Sequence, residues 1–172
     1  MPRHVVLIGL PGAGKSTAGR LAATLLGAPI VDLDAAIVRR TQMPITRIFA
    51  EFGEARFREL EHEAVGEALA GPPALLVPGG GWAAQPGSLE LVRGRALVLY
   101  LEVRPSVAAA RLAPDHDRPL LLSEDPVGRM GELLRNREAF YKRADRTIPN
   151  EKYLPEQTGA EVARLARELA GW

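Results

Sequence analysis

The sequence predicts an α/β domain of three layers, α/β/α, with a five-stranded parallel sheet between helices. Two observations predict it. Short, nearly continuous apolar runs alternate with stretches of helical apolar period, and glycine closes several of those runs. Strands alternating with helices imply right-handed crossovers and therefore parallel pairing.

The first run, Val5-Val6-Leu7-Ile8, is β-branched and apolar and ends at Gly9, which suits a central strand buried on both faces. Ala18, Leu21, Ala22 and Leu25 then recur at helical spacing within Lys15–Leu26, and Gly27 supplies the stop. Ile30-Val31-Asp32 reads as the second strand. A helix over 34–40 follows, and a second one over 44–52 opens at Pro44. Gly53 separates it from a longer helix carrying Phe57, Leu60, Ala64, Val65, Ala68 and Leu69 on one stripe. After Gly71-Pro72-Pro73 comes a third strand at 74–77, closed by Gly79-Gly80-Gly81. The fourth strand spans 95–101, and Pro105 opens the next helix. Periodicity disappears over 113–125, where prolines, charges and leucines mix, and this stretch is expected to be a mobile lid. A helix over 126–144, a fifth strand at 146–149 and a last helix with Val162, Leu165, Ala166 and Leu169 on one face complete the chain.

At 172 residues the chain fits one domain, 1–172, without internal repeat or linker. It has no cysteine, which excludes disulfides, thiol nucleophiles and thiolate metal sites and is compatible with a reducing cytoplasm. Cytoplasmic location is the expectation, because the N-terminal apolar stretch is too short for a signal peptide or a membrane span. Lys plus Arg number 22 against 21 Asp plus Glu, so net charge supports neither nucleic acid nor membrane as a partner. Small-molecule partners and a monomer are expected. His4, His62 and His116 have no metal-ligand spacing and are read as surface or structural.

Gly9-Leu10-Pro11-Gly12-Ala13-Gly14-Lys15-Ser16-Thr17 matches G-x-x-x-x-G-K-[ST] in the required place, after an apolar strand and at the opening of a helix. In such a loop successive N–H groups and a helix N-terminus converge on phosphate. Gly12, Ala13, Gly14, Lys15, Ser16 and Thr17 are therefore the candidate nucleotide-binding residues, for ATP as co-substrate. Lys15 is placed for the β- and γ-phosphates and Ser16 for Mg²⁺. The fold expected is that of the P-loop nucleoside triphosphate hydrolases, and the chemistry is transfer of a phosphoryl group to a small acceptor. Asp32, at the end of a strand beside the loop, can hold Mg²⁺ through water or cap a helix. Asp34 fits the capping description better still.

Further motifs follow in order: Asp32-Leu33-Asp34, Gly53-Glu54-x-x-Phe57-Arg58-x-x-Glu61, Gly79-Gly80-Gly81, Arg118-Pro119-Leu120-Leu121 and Arg137-x-x-x-Tyr141. With the phosphate loop they make the chain, from Val5 to about Tyr141, resemble the shikimate kinases of aromatic amino-acid biosynthesis. The resemblance implies ATP-dependent phosphorylation of the 3-hydroxyl of shikimate, with Lys15, Asp34 and Arg118 as catalytic groups. It implies that Asp34 contacts the accepting hydroxyl as base or orienting group, and that Arg58 and Arg137 bind the shikimate carboxylate, with Glu61 orienting Arg58. Gly79, Gly80 and Gly81 would let bare backbone approach the ring. Arg118 would stabilise the transition state from the lid, and Arg111 and Pro119 would line the adenine side.

Taken without the resemblance, Arg58 pairs on its helix face with Glu54 and Glu61 and is a surface ion-pair residue. Arg135 competes with Arg137, and the spacing to Tyr141 selects Arg137. Trp82 either packs on the core or narrows the acceptor pocket. The resemblance weakens after Tyr141, where Ile148-Pro149-Asn150-Glu151-Lys152 stands in place of an Asp-Thr-like pair and a basic residue, with Lys152 the candidate for the missing charge. Two other readings compete. One is a different P-loop small-molecule kinase, for gluconate or a nucleoside monophosphate, against which the two acceptor-side arginines and the triple glycine argue. The other is a shikimate-kinase-like ligand-sensing regulator, for which the eight residues before Gly9 leave no DNA-reading segment.

Overall fold

The computed structural model describes residues 1–112 and 124–172. Five strands form one sheet: β1 His4–Ile8, β2 Ile30–Asp32, β3 Leu75–Val77, β4 Ala96–Glu102 and β5 Arg146–Pro149. Their order is β2-β3-β1-β4-β5 and every neighbouring pair is parallel. β1 lies at the centre, with Val5 opposite Leu75 on one side and Leu97 on the other. All of β1 and β3 is buried, as continuous apolar runs in a helix-covered sheet must be. Parallel pairing also brings the C-terminal ends of β1, β2 and β3 to one edge of the sheet.

The helices are α1 Lys15–Leu26, α2 Leu33–Thr41, α3 Ile45–Ala70, α4 Ser88–Val92, α5 Pro105–Leu112, α6 Pro126–Tyr141 and α7 Pro155–Ala170. They flank the sheet as expected. Small residues let α1 and α7 approach closely, Ala18 and Ala22 facing a helix whose Ala163 and Ala166 are fully buried. No helix among the described residues is long and apolar enough to cross a membrane.

Several boundaries differ from the sequence reading. The helix read over 126–144 ends at Tyr141, because Arg143 and Ala144 donate to Phe140 and Tyr141, tightening the chain into turns of three residues. A 3-10 turn at Trp82–Ala84 and the five-residue α4 were not assigned from the sequence. Neither is long enough to display a helical period. Of the lid expected over 113–125, residues 113–123, Arg118 and Pro119 among them, lie outside the described residues, and Asp125 caps α6.

Gly53 divides α3 as the sequence suggested. Its φ of 80° and ψ of 172° are non-helical, so the Ile45–Phe52 portion and the portion bearing Arg58 and Glu61 are set at an angle. That corner of backbone space is open essentially to glycine alone. Gly53→Ala should therefore lower unfolding free energy by about 1–3 kcal/mol, read by chemical denaturation, and it should perturb the residues that follow on α3.

Candidate active site

The loop between β1 and α1 opens into a cleft of about 740 Å³ lined by Gly12, Gly14, Lys15, Ser16 and Thr17. The same cleft reaches Asp32 and Asp34 on one side, Gly79 and Gly80 on another, and Arg111, Asn150 and Tyr153 at its far end. Gly14 adopts φ 88°, which starts α1 without a side-chain cap. The first turn of α1, Lys15 to Thr17, accordingly lines the cleft with its N-terminal end. The Lys15 ammonium is buried and donates to the carbonyls of Gly9 and Leu10, 2.8 Å each, which holds it at the base of the loop.

Ser16, the second residue of α1, donates its hydroxyl proton to Asp32 Oδ2 at 3.3 Å. The other carboxylate oxygen of Asp32 accepts the N–H of Ala35 at 3.2 Å and caps α2. This reverses the sequence reading, in which Asp34 was the better cap. α2 begins at Leu33, one residue earlier than expected, so Asp34 falls within the first turn, where the helix dipole favours a carboxylate. A hydroxyl and a carboxylate this close are hard oxygen donors of the kind Mg²⁺ takes. No group of three or more His, Cys, Asp or Glu side chains that could hold a metal ion exists among the described residues.

The triple-glycine turn after β3 lies directly against the phosphate loop. A Cβ on Gly80 would come within 2.7 Å of Pro11 Cδ. A Cβ on Gly81 would lie 2.6 Å from Arg58 Nη2 and 3.0 Å from Arg137 Nη2, so only a bare backbone admits both guanidinium groups there. A Cβ on Gly79 would lie 2.9 Å from Glu61 Oε1 and 3.4 Å from Asp34 Oδ1. Asp34, Arg58, Glu61 and Arg137 thus converge on this turn, although their positions are separated by as many as 103 places, Asp34 to Arg137.

Arg58 donates to Glu61 Oε2 at 2.6 Å and to Glu54 Oε1 at 3.2 Å. The two bonds differ in surroundings. The Glu54 side chain is 65% exposed, that of Glu61 only 1%, so the second pair is an internal contact rather than a helix-surface one. Burial pushes the Glu61 carboxyl up to about 7, the Arg58 ion pair opposing that shift and Asp34 reinforcing it. Arg58 Nε, Arg137 Nη1 and Glu61 Oε1 are buried and find no hydrogen-bond partner among the described residues. Buried donors and acceptors rarely stay unpaired, so these atoms are places for water or a ligand to bond.

Arg137 and Tyr141 share one face of α6, four residues apart. Tyr141 donates to Gly80 O at 2.6 Å and stacks on Tyr100 at 5.0 Å, so it fixes the glycine turn that the two arginines face. Arg135 is exposed, in keeping with the choice of Arg137 over it. Trp82 is 1% exposed and takes the core-packing alternative, outside the cleft lining. His4 is structural: it is buried and its Nδ1 accepts the N–H of Ala74.

Arg111 donates to Asn150 O at 2.7 Å and to Ala13 O at 3.4 Å, joining α5 to the phosphate loop. Asn150, Tyr153, Pro155 and Thr158 line the far end of the cleft and were missed in the sequence, where no motif covers them. The only signal was the departure of that stretch from the family pattern. Lys152 is exposed and outside the cleft lining, and Tyr153 occupies that side.

Comparison with known proteins is consistent with this arrangement. The family model "Shikimate kinase" matches residues 11–167. A shikimate kinase of Moorella thermoacetica is 39% identical over 169 residues, covering 98% of this chain and 93% of the relative. One from Thermobifida fusca is 42% identical over 160 residues, 92% of each chain. Among solved structures, the shikimate kinase from Acinetobacter baumannii in complex with shikimate superposes with a TM-score of 0.92 at 31% identity, covering 98% of this chain and 94% of that one. By sequence over nearly its whole length and by fold, this chain belongs to the shikimate kinase family.

Proposed function

We propose that the chain transfers the γ-phosphoryl group of ATP to the 3-hydroxyl of shikimate, giving shikimate 3-phosphate and ADP in aromatic amino-acid biosynthesis. The observation that carries this reading is the pair of guanidinium groups meeting over Gly81, beside Asp34 and at the acceptor end of the phosphate-loop cleft. Two planar donors with unmet hydrogen bonds suit a carboxylate, and the glycine turn leaves room for a flat hydroxylated ring.

In this reading the bond from the γ-phosphorus to the bridging oxygen breaks, a bond to the 3-oxygen forms, and the hydroxyl proton leaves towards Asp34 or water. Asp34 orients the hydroxyl, since a loose phosphoryl-transfer transition state requires positioning more than prior deprotonation. Lys15 turns from the loop carbonyls to the phosphate oxygens, and the N–H groups at the start of α1 hold the tail in line. Ser16 and Asp32 would hold Mg²⁺, whose charge offsets that of the β- and γ-oxygens when it is bound. Arg118 and Pro119 keep the lid and adenine-side roles that the family resemblance implies, and Arg111 lines the nucleotide end.

A coupled assay offering shikimate, gluconate and nucleoside monophosphates tests the reading: ADP should form with shikimate, and Lys15→Ala should abolish its formation while the protein stays folded. Turnover only with another acceptor would overturn it. Arg58→Ala should raise the KM for shikimate about tenfold or more, as loss of a charge-assisted hydrogen bond does, with little change in the KM for ATP.

Glu61 supplies a pH test. Its folded value of about 7 lies above the ordinary 4.5, so it contributes stability that is fully present below about 4.5 and lost as pH rises to about 7. Arg58, Asp34 and Arg137 are the charged groups acting on it. The difference in thermal midpoint between the wild-type chain and Glu61→Gln should therefore fall across that interval and then level off.

A further inference from the structure

Asn150 follows β5 and is 5% exposed. Its backbone is held by both neighbours: its N–H donates to Glu102 O at 2.9 Å, and its carbonyl accepts from Arg111. Its side chain spans two other elements. Nδ2 donates to Ala13 O in the phosphate loop at 2.7 Å, and Oδ1 accepts the hydroxyl proton of Thr158 in the first turn of α7. Thr158 is itself 1% exposed.

A primary amide has one donating and one accepting end, and a backbone carbonyl can only accept. A flipped Asn150 would set two acceptors against each other at Ala13, whereas the present orientation satisfies both ends, with the Thr158 hydroxyl as the matching donor. The consequence reaches the next peptide. In a trans peptide the C=O and the following N–H point to opposite sides. Two donors on the Ala13 oxygen, from Asn150 and Arg111, therefore set the direction of the Gly14 N–H, away from that oxygen. Phosphate loops work by converging such N–H groups on an anion.

Resting on the nucleotide reading above, we propose that Asn150, oriented by Thr158, is a positioning residue that holds the Ala13–Gly14 peptide in the phosphate-accepting orientation. It also ties the phosphate loop to the segment bearing Tyr153 and Pro155 at the far end of the cleft. Residue 150 acts through the loop backbone rather than on the substrate. Its removal should consequently affect polyphosphate binding and spare the acceptor side, where Arg58 and Arg137 lie.

The test compares the intact chain with Thr158→Val, Thr158→Ser and Asn150→Asp. Calorimetry measures the affinity for inorganic tripolyphosphate and for ATP, each with magnesium, and steady-state assay measures the KM for shikimate. Thr158→Val frees the amide to turn and should weaken both polyphosphate ligands about tenfold, with the shikimate KM unchanged within about twofold. Thr158→Ser keeps the hydroxyl and should restore wild-type affinity. Asn150→Asp, which sets a carboxylate oxygen against Ala13 O, should weaken them further; should it not fold, the valine and serine pair decides. Unchanged tripolyphosphate affinity in folded Thr158→Val, or equal weakening of nucleotide and shikimate, would overturn the positioning role. Failure of the wild-type chain itself to bind either polyphosphate would instead sink the nucleotide reading.

Discussion

β1 and β3 are adjacent and parallel, so the loops that leave their C-terminal ends must share one edge of the sheet. One of these loops has the glycine, lysine and serine of a phosphate cradle; the other is three consecutive glycines. Their contact is close enough that a methyl group on Gly80 would strike Pro11. β2 lies beyond β3, which delivers Asp32 and Asp34 to the same edge. Donor and acceptor ends of the cleft are thus set side by side by strand order, before any side chain is considered.

The second constraint is electrostatic. Two guanidinium groups brought to one glycine repel each other, and the structure compensates with a carboxylate that has almost no solvent. Glu61 is costly to ionise in that position, which is why its carboxyl is held near neutrality instead of in the usual acidic range. The compensation is incomplete, since one nitrogen on each arginine and one oxygen of Glu61 remain without partners among the described residues. The same surroundings set Arg58 apart from the helix-surface ion pair that its spacing alone suggests: Glu54 is at the surface and Glu61 is not.

Local signals were legible in the chain. The phosphate loop, the glycine break at residue 53 and all five strands follow from periodicity and turn chemistry, which depend on neighbours in sequence. Arg137 was separable from Arg135 by its four-residue spacing to Tyr141, because that spacing defines one helix face. The capping carboxylate was misassigned because α2 starts one residue earlier than its apolar pattern shows, and a helix start is set by a single hydrogen bond. α4 and the turn at Trp82 were too short to carry a period.

The sequence by itself determined the order of elements and the phosphate-loop motif, and its resemblance to one family pointed to Arg58 and Arg137. Only the tertiary structure decided that Glu61 is buried, that Tyr141 holds the glycine turn, that Trp82 belongs to the core and that Asn150 reaches back to Ala13 across 137 positions. The physical reason is the range of the interactions. Periodicity, caps and turns are written by residues within a few places of one another, whereas burial and the meeting of polar groups from separate strands and helices exist only once the chain has closed on itself.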